Sequence, residues 1–264
     1  MTDQPYLLDN AWREGRDRLD AVEALLDPGS IALLDRIGIE PGWTCLELGA
    51  GGGSIAKWLS ARVGATGSVV ATDLDTRHLE SLAEFRNVEV RRHDIVSELL
   101  GDSSFDLVHA RLVLEHLPER DAVLRKLVRG LKSGGWLLVE SVDYVSAIAV
   151  SELGAEEHMH SQSIRLQMFT TLGVDANFGR RLPRSLREAG LFDISNEGRV
   201  FVMEGGSPGA RWFELSMRQL RGRLVTSGGL SNAEVDRMLE LFANPKWAAF
   251  SPIIMACWGR TKRD

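Results

Sequence analysis

Leu46-Glu47-Leu48-Gly49-Ala50-Gly51-Gly52-Gly53-Ser54-Ile55 is the stretch on which the fold turns. A short apolar run over 44–48 ends in glycines at alternate positions 49, 51 and 53, and a helix-like segment follows. Without a Cβ, backbone at those positions comes very close to a ligand. The first N–H groups of the next helix have no partner within the helix and face the same place. Ser54 stands where a dinucleotide-binding G-x-G-x-x-G requires its third glycine. The pattern is therefore E-x-G-x-G-x-G, which points to a nucleotide-like ligand.

Outward from this stretch, strand-like and helix-like segments alternate, the signature of a parallel sheet covered on both faces. Strands are expected at 44–48, 68–72, 88–92, 105–110 and 136–141, with helices through Arg62 and over 76–84 and 119–131. A sixth strand is expected at 191–204 and a seventh at 253–260. The fold class is α/β: a doubly wound, mostly parallel seven-stranded sheet with helical lid insertions. Residues 1–40 form an N-terminal helical cap segment, with helices at 9–26 and 28–37. Residues 41–143 make the ligand-binding half. Residues 144–190 are a helical lid with helices at 146–172 and 183–189. Residues 191–264 hold the last strands, with a helical insertion at 209–243. Insertions at the carboxyl edge of such a sheet are where a substrate pocket is built.

Composition narrows the function classes. The chain has 264 residues, 31 Lys+Arg against 37 Asp+Glu, and a formal charge of −6, which lacks the electrostatic footprint of nucleic-acid binding. Residues 1–143 carry −8 and residues 144–264 carry +2. Cys45 and Cys257 lie in separate apolar runs with no ligand-spaced neighbours and are read as buried free thiols. Neither a cationic leader followed by an apolar stretch nor a run approaching the ~18 apolar residues of a membrane span is visible. The expectation is a cytoplasmic protein with no membrane or nucleic-acid partner, monomeric or homodimeric.

Asp73, twenty residues after Gly53, closes the second strand, where an acid faces the same crevice as the glycines and accepts from a ribose diol. Leu74 adjoins it, and Asp75 reads as a helix N-cap. After the third strand, His93-Asp94-Ile95 offers an acceptor for an adenine amino group and an apolar side chain for its ring. Ala110 and Arg111 end the fourth strand, where backbone lines the rest of the crevice.

With Phe105-Asp106-Leu107-Val108 and the turn Leu131-Lys132-Ser133-Gly134-Gly135, these features resemble, in order, the motifs of class I S-adenosylmethionine-dependent methyltransferases. Ser133 replaces the Pro usual in that turn, which should cost little because Pro mainly pre-sets it. The resemblance implies S-adenosyl-L-methionine as cofactor, bound by Glu47, Gly49, Ala50, Gly51, Gly53, Asp73, Leu74, His93, Asp94, Ile95, Ala110 and Arg111. It also implies that Glu47 sits beside the cofactor's amino acid and orders the glycine loop. Tyr6 lies on an N-terminal segment that folds over the cofactor in similar enzymes; Trp12 lies there too and is read as core packing.

The expected reaction is transfer of a methyl group to an O or N atom of a small molecule, driven mainly by alignment. Candidate catalytic residues are His116, whose imidazole is suited to take a proton near neutral pH or else serves a structural role, and Asp143 and Tyr144 after the fifth strand. Candidate acceptor-binding residues are His158, His160 and Arg211. His158 and His160, two apart, point in different directions on a helix, so no metal site is expected. Arg211, Arg218 and Arg221 read either as a solvated face paired with Glu214 or as a rim for an anionic acceptor. No Asn/Asp-Pro-Pro-Tyr/Phe follows the fourth strand, which weighs against methylation of base amines. A nicotinamide-dependent oxidoreductase would need a glycine at 54 and a Tyr-x-x-x-Lys pair. A protein of this fold that binds the cofactor without methyl transfer, such as a pericyclase or a non-catalytic module, carries the same motifs.

Overall fold

A computed structural model describes residues 7–226 and 229–263. Ahead of the glycine stretch lies one helix, α1 (Gly15–Ile37), instead of the two expected. Pro28 removes one backbone donor from its interior, a change that by itself breaks helices. Burial on both sides of it overrides that preference, because Leu26, Leu33 and Leu34 are almost wholly enclosed. Gly38 ends the helix in the left-handed conformation, its N–H donating to the Leu34 carbonyl.

The alternation then runs β1 (Thr44–Leu48), α2 (Ser54–Val63), β2 (Ser68–Asp73), β3 (Val88–Arg92), β4 (Phe105–Arg111), α3 (Arg120–Gly130) and β5 (Leu131–Asp143). The lid follows as β6 (Ile148–Ala149), α4 (Ala155–Thr171) and α5 (Phe178–Glu188). The remainder is β7 (Phe192–Arg199), β8 (Val202–Glu204), α6 (Pro208–Thr226), α7 (Asn232–Ala243), β9 (Ala248–Phe250) and β10 (Ile253–Arg260). The expected seven-stranded, mostly parallel sheet is present, in the order β3-β2-β1-β4-β5-β10-β7. β1 to β5 pair in parallel, while β10 is antiparallel to both β5 and β7. Strand order reverses between β1 and β4, so the crevice outside their carboxyl ends is the place for a ligand.

Three apolar cores hold these layers. On one face Leu46, Val108, Leu137 and Val139 pack with Leu124 and Leu127 of α3 and Leu182 and Leu186 of α5. On the other, Cys45, Val69, Leu107 and Leu138 pack with Leu33 and Leu34 of α1 and Leu59 of α2. Full enclosure of a leucine such as Leu59 stabilises by roughly 1.5–3 kcal/mol. The third core joins α1, α4, α6 and α7 through Leu26, Met168, Trp212, Phe213, Phe242 and Trp247.

Three further local expectations are corrected. The segment expected as a helix over 76–84 forms only a 3-10 turn, Glu80–Glu84, pinned by buried Leu79 and Leu82. The strand expected over 191–204 divides, since Phe201 exchanges hydrogen bonds with Ser251 and β8 leaves the main sheet. β8 joins β6 and β9 in a separate three-stranded sheet. The helix expected from 146 begins at Ala155, because β6 intervenes. Strand length explains these errors: two- and three-residue strands carry no readable period. Among the described residues no helix is long and apolar enough to cross a membrane.

Candidate functional site

The glycine stretch leaves β1 and folds back on β2, the N–H groups of Gly49 and Ala50 both donating to the Thr72 carbonyl at 2.8 and 2.9 Å. Gly49, at φ +71°, has no room for a side chain: a Cβ there would overlap Cγ2 of Val113. The loop is thereby held as a floor of exposed backbone. It bounds a cavity of about 380 Å³ at the carboxyl ends of β1, β2 and β4, within the ~300–1,000 Å³ range of small-molecule sites. α1 roofs the loop: Arg16 donates to the Gly52 carbonyl at 3.1 Å, and Leu19, Val22 and Glu23 line the cavity.

Asp73 stands at the mouth of β2. Its Oδ2 accepts from the Gly51 N–H at 2.9 Å and its Oδ1 from the Asp75 N–H at 3.1 Å. A carboxylate offers about four acceptor positions, so Asp73 keeps capacity to accept from a diol. Burial pushes its pKa up, opposed by the N–H donors of Gly51, Asp75 and Leu74. Leu74, His93, Asp94 and Ile95 line the same cavity. Asp94 closes a local turn, accepting from the Ser97 hydroxyl at 2.6 Å and the Val96 N–H at 2.9 Å. The Ser97 bond chiefly holds its pKa low against burial. Ile95 is 5% exposed, its side chain packed into the core beneath.

Of the residues closing β4, Arg111 lines the cavity while Ala110 faces the opposite core. The Arg111 guanidinium bridges to α1, donating to Asp27 at 2.8 Å and to Ser30 at 2.9 Å, and Ser54 donates to the same Asp27 oxygen at 3.1 Å. Leu112, next in the chain, takes a left-handed conformation at φ +57°, a backbone strain at the cavity wall that its sequence does not announce. His116 also lines the cavity, its pKa pushed down to about 4 by burial and by the charges of Arg18 and Arg120.

Other candidates lie elsewhere. Asp143 does not line the cavity; both its oxygens are taken by Arg180 of α5 at 2.8 Å. Tyr144 is buried in the lid core, edge-on to Phe169 at 4.9 Å. His158 is buried on α4 against Trp247, and His160 sits on the surface beside Glu234 at 3.4 Å. Arg211 is exposed and pairs with Glu214, which Arg218 also clasps, while Arg221 pairs with Asp236. Tyr6 lies outside the described residues. Among those residues no group of three or more His, Cys, Asp or Glu is arranged to hold a metal ion.

Glu47 lines the cavity, as the resemblance implies, and its carboxylate is buried and bonds His109 of β4 at 2.6 Å. The register sets Glu47 directly beside His109. The other imidazole nitrogen meets Glu140 of β5 at 3.2 Å, and Glu140 in turn accepts from Arg199 of β7. Burial opposes a charged His109, but Glu47 and Glu140 outweigh it and lift its pKa to about 9. Burial likewise opposes a charged Glu140, yet His109, Arg111 and Arg199 bring it down to about 2. His109 therefore contributes stability fully below its unfolded value of 6.5, and that contribution is lost as pH rises through about 9. Glu140 contributes fully above 4.5 and loses it as pH falls through about 2. The His109 contribution should make urea midpoints decline as pH rises from 6.5 toward 9, and His109→Gln should flatten that alkaline limb. An alkaline limb unchanged in His109→Gln would contradict the charged chain.

Comparison with known proteins bears on the same residues. Residues 46–139 match the family model described as a methyltransferase domain, which spans the glycine loop, Asp73, Asp94 and the first nine residues of β5. An arsenite methyltransferase of Aquipseudomonas alcaligenes is 34% identical over 146 residues, 50% of this chain and 40% of its own. The ubiquinone/menaquinone biosynthesis C-methyltransferase UbiE of Salmonella arizonae is 27% identical over 190 residues, 69% of this chain and 73% of its own. The solved Haemonchus contortus phosphoethanolamine N-methyltransferase 2, in complex with S-adenosyl-L-methionine, superposes with a TM-score of 0.60 at 16% identity, covering 100% of this chain and 61% of that one. The chain spans less than half the length of the first curated relatives it matches.

Proposed function

We propose that this chain, which has the class I S-adenosyl-L-methionine-dependent methyltransferase fold, binds that cofactor in the cavity between β1 and β4 and moves its methyl group to an O or N atom of a small molecule. The observation that carries the reading is one cavity that joins the glycine floor, Asp73 and the Asp94-Ile95 turn at the carboxyl edge of the sheet.

The residues present fit the group. Backbone at Gly49 and Gly51 offers close approach for the amino-acid end, and the remaining acceptor capacity of Asp73 suits a ribose diol. Asp94 and Ile95 supply a polar edge and an apolar wall for the adenine. Glu47 acts at one remove, by holding β1 against β4 beneath the loop.

When bound, the cofactor supplies a methyl group already activated by its sulfonium. What the chain must add is alignment, exclusion of water and a place for a proton. Holding two reactants in line contributes roughly 7–11 kcal/mol in favourable cases. The roof of α1 over the loop, with Leu19 and Val22 facing inward, keeps water from the reacting atoms.

His116 is assigned the proton-accepting role. With its pKa near 4 it is neutral at pH 7 and able to accept, but weakly basic. Its contribution should then lie at the low end of general-base effects, about 10²-fold. His116→Ala is expected to lower turnover by about that factor with cofactor affinity unchanged. The wild-type rate should show no ionisation of this imidazole near pH 6.5, its model value. Full turnover in the variant would remove His116 from the chemistry.

The activity as a whole is tested with methyl-labelled cofactor and candidate acceptors. Label is expected on the acceptor. An acceptor transformed while all label stays on the cofactor would mean that another reaction is catalysed.

A further inference from the structure

α4 turns three polar side chains into the lid core, His158, Gln162 and Arg165, spaced by four and then three residues and so on one face. They are 1%, 4% and 8% exposed, far below what is ordinary for these residue types. Tyr144 and Trp247, at 6% and 0%, complete the group.

The interactions form a chain that runs from Tyr144 to His158. The Arg165 guanidinium stacks over Phe213 at 4.5 Å and donates to the Gln162 carbonyl oxygen. Gln162 donates in turn to the Tyr144 carbonyl at 2.6 Å. From Phe213 the rings continue edge to face through Phe242 at 6.3 Å to Trp247 at 5.0 Å, and Trp247 meets His158 at 5.5 Å.

Along this chain of contacts, hydrogen-bonding groups are left over, and they are mostly donors. Arg165 Nε, Trp247 Nε1 and both nitrogens of His158 are buried without a partner. A buried donor left unsatisfied costs about 1–3 kcal/mol, and more on a charged group. Among the described residues no carboxylate pairs with Arg165; the groups acting on its charge are Tyr144 and, in return, His158. Burying one partner of an ion pair without the other is strongly unfavourable.

The cluster shares an apolar core with residues that line the cavity. Tyr144, Phe213 and Val22 belong to one apolar core, against which Leu112 packs, and both Val22 and Leu112 line the cofactor cavity.

We infer that Arg165, with Gln162, His158 and Trp247, is the recognition site for the methyl acceptor, and that it takes the carboxylate of a small aromatic monocarboxylic acid. One unmatched positive charge calls for a monoanion. Excess N–H donors call for oxygen acceptors, and the planar guanidinium fits a carboxylate in two-point fashion. Phe213, Phe242 and Trp247 call for a flat apolar body. This inference rests on the methyltransferase reading for its purpose but not for its test.

The test is calorimetric titration of the full chain saturated with S-adenosylhomocysteine. The probes are benzoate, cinnamate and indole-3-acetate, each beside its primary amide, with phenyl phosphate as a dianionic control. At least one carboxylate is expected to bind ~10-fold or more tightly than its amide and than phenyl phosphate. Arg165→Met should erase that preference while S-adenosylhomocysteine affinity is kept. The wild-type comparison decides the matter without the variant, so poor folding of Arg165→Met cannot obscure it. No saturable carboxylate binding, equal binding of the amides, tighter binding of phenyl phosphate, or a preference that survives Arg165→Met would each overturn the inference. S-adenosylhomocysteine is titrated separately; if it fails to bind, the cofactor reading falls, and the same carboxylate titrations on the unliganded chain still decide this one.

Discussion

Glu140→Ala should destabilise the fold by about 3–5 kcal/mol, the range for removing one member of a buried ion pair. Glu140 is completely enclosed in β5, with one oxygen toward His109 at 3.2 Å and the other toward Arg199. Alanine would leave the buried imidazolium with Glu47 and the guanidinium with only the longer contact to Glu197 at 3.9 Å. Because β1, β4, β5 and β7 are all linked through these groups, the loss should register in global unfolding. Urea denaturation at pH 6 reads it directly. Glu140→Gln, which keeps shape and one acceptor, should lose less. A loss below ~1 kcal/mol for alanine would mean that the buried chain of charges is not a stabilising feature.

Asp73→Ala should weaken cofactor binding by about 1–3 kcal/mol, or roughly 5–150-fold. Two effects act together. The ribose loses its acceptors, and the Gly51 and Asp75 N–H groups lose the carboxylate that pins the loop to the end of β2. Asp73→Asn retains one oxygen acceptor and should fall between the two. Calorimetry with S-adenosylhomocysteine measures the difference, and unchanged affinity in Asp73→Ala would remove Asp73 from the site.

Local sequence carried the parts of the fold that local chemistry governs. The glycine stretch is readable because close backbone approach demands residues without side chains, and Asp73 because a strand of six residues ends there. β10 is legible to the residue, since an eight-residue apolar strand leaves little choice of boundary. What escaped depends on pairing across strands. Glu47 faces His109 only through the β1–β4 register, which a single strand does not contain. The signal was present in weaker form: Glu47, His109 and Glu140 are ionisable residues inside otherwise apolar strands, where an unpaired charge would be untenable. The cap segment was expected, but as two helices. Pro28 suggested two helices, while the packing of α1 on α2 and α6 makes it one and brings Arg16, Leu19 and Glu23 over the loop. Asp143 and Tyr144 were expected near the reacting atoms because they follow β5, but the strand extends to Asp143 and turns them toward α5 and the lid core.

The central claim, that the cavity between β1 and β4 is a site for S-adenosyl-L-methionine, is tested most directly by calorimetric titration of the chain with S-adenosyl-L-methionine and, in parallel, with a nicotinamide dinucleotide. Saturable one-to-one binding of the first, abolished or strongly weakened by Asp73→Ala, and none of the second is the predicted result. Binding of the nicotinamide cofactor, or no binding of S-adenosyl-L-methionine, would contradict it.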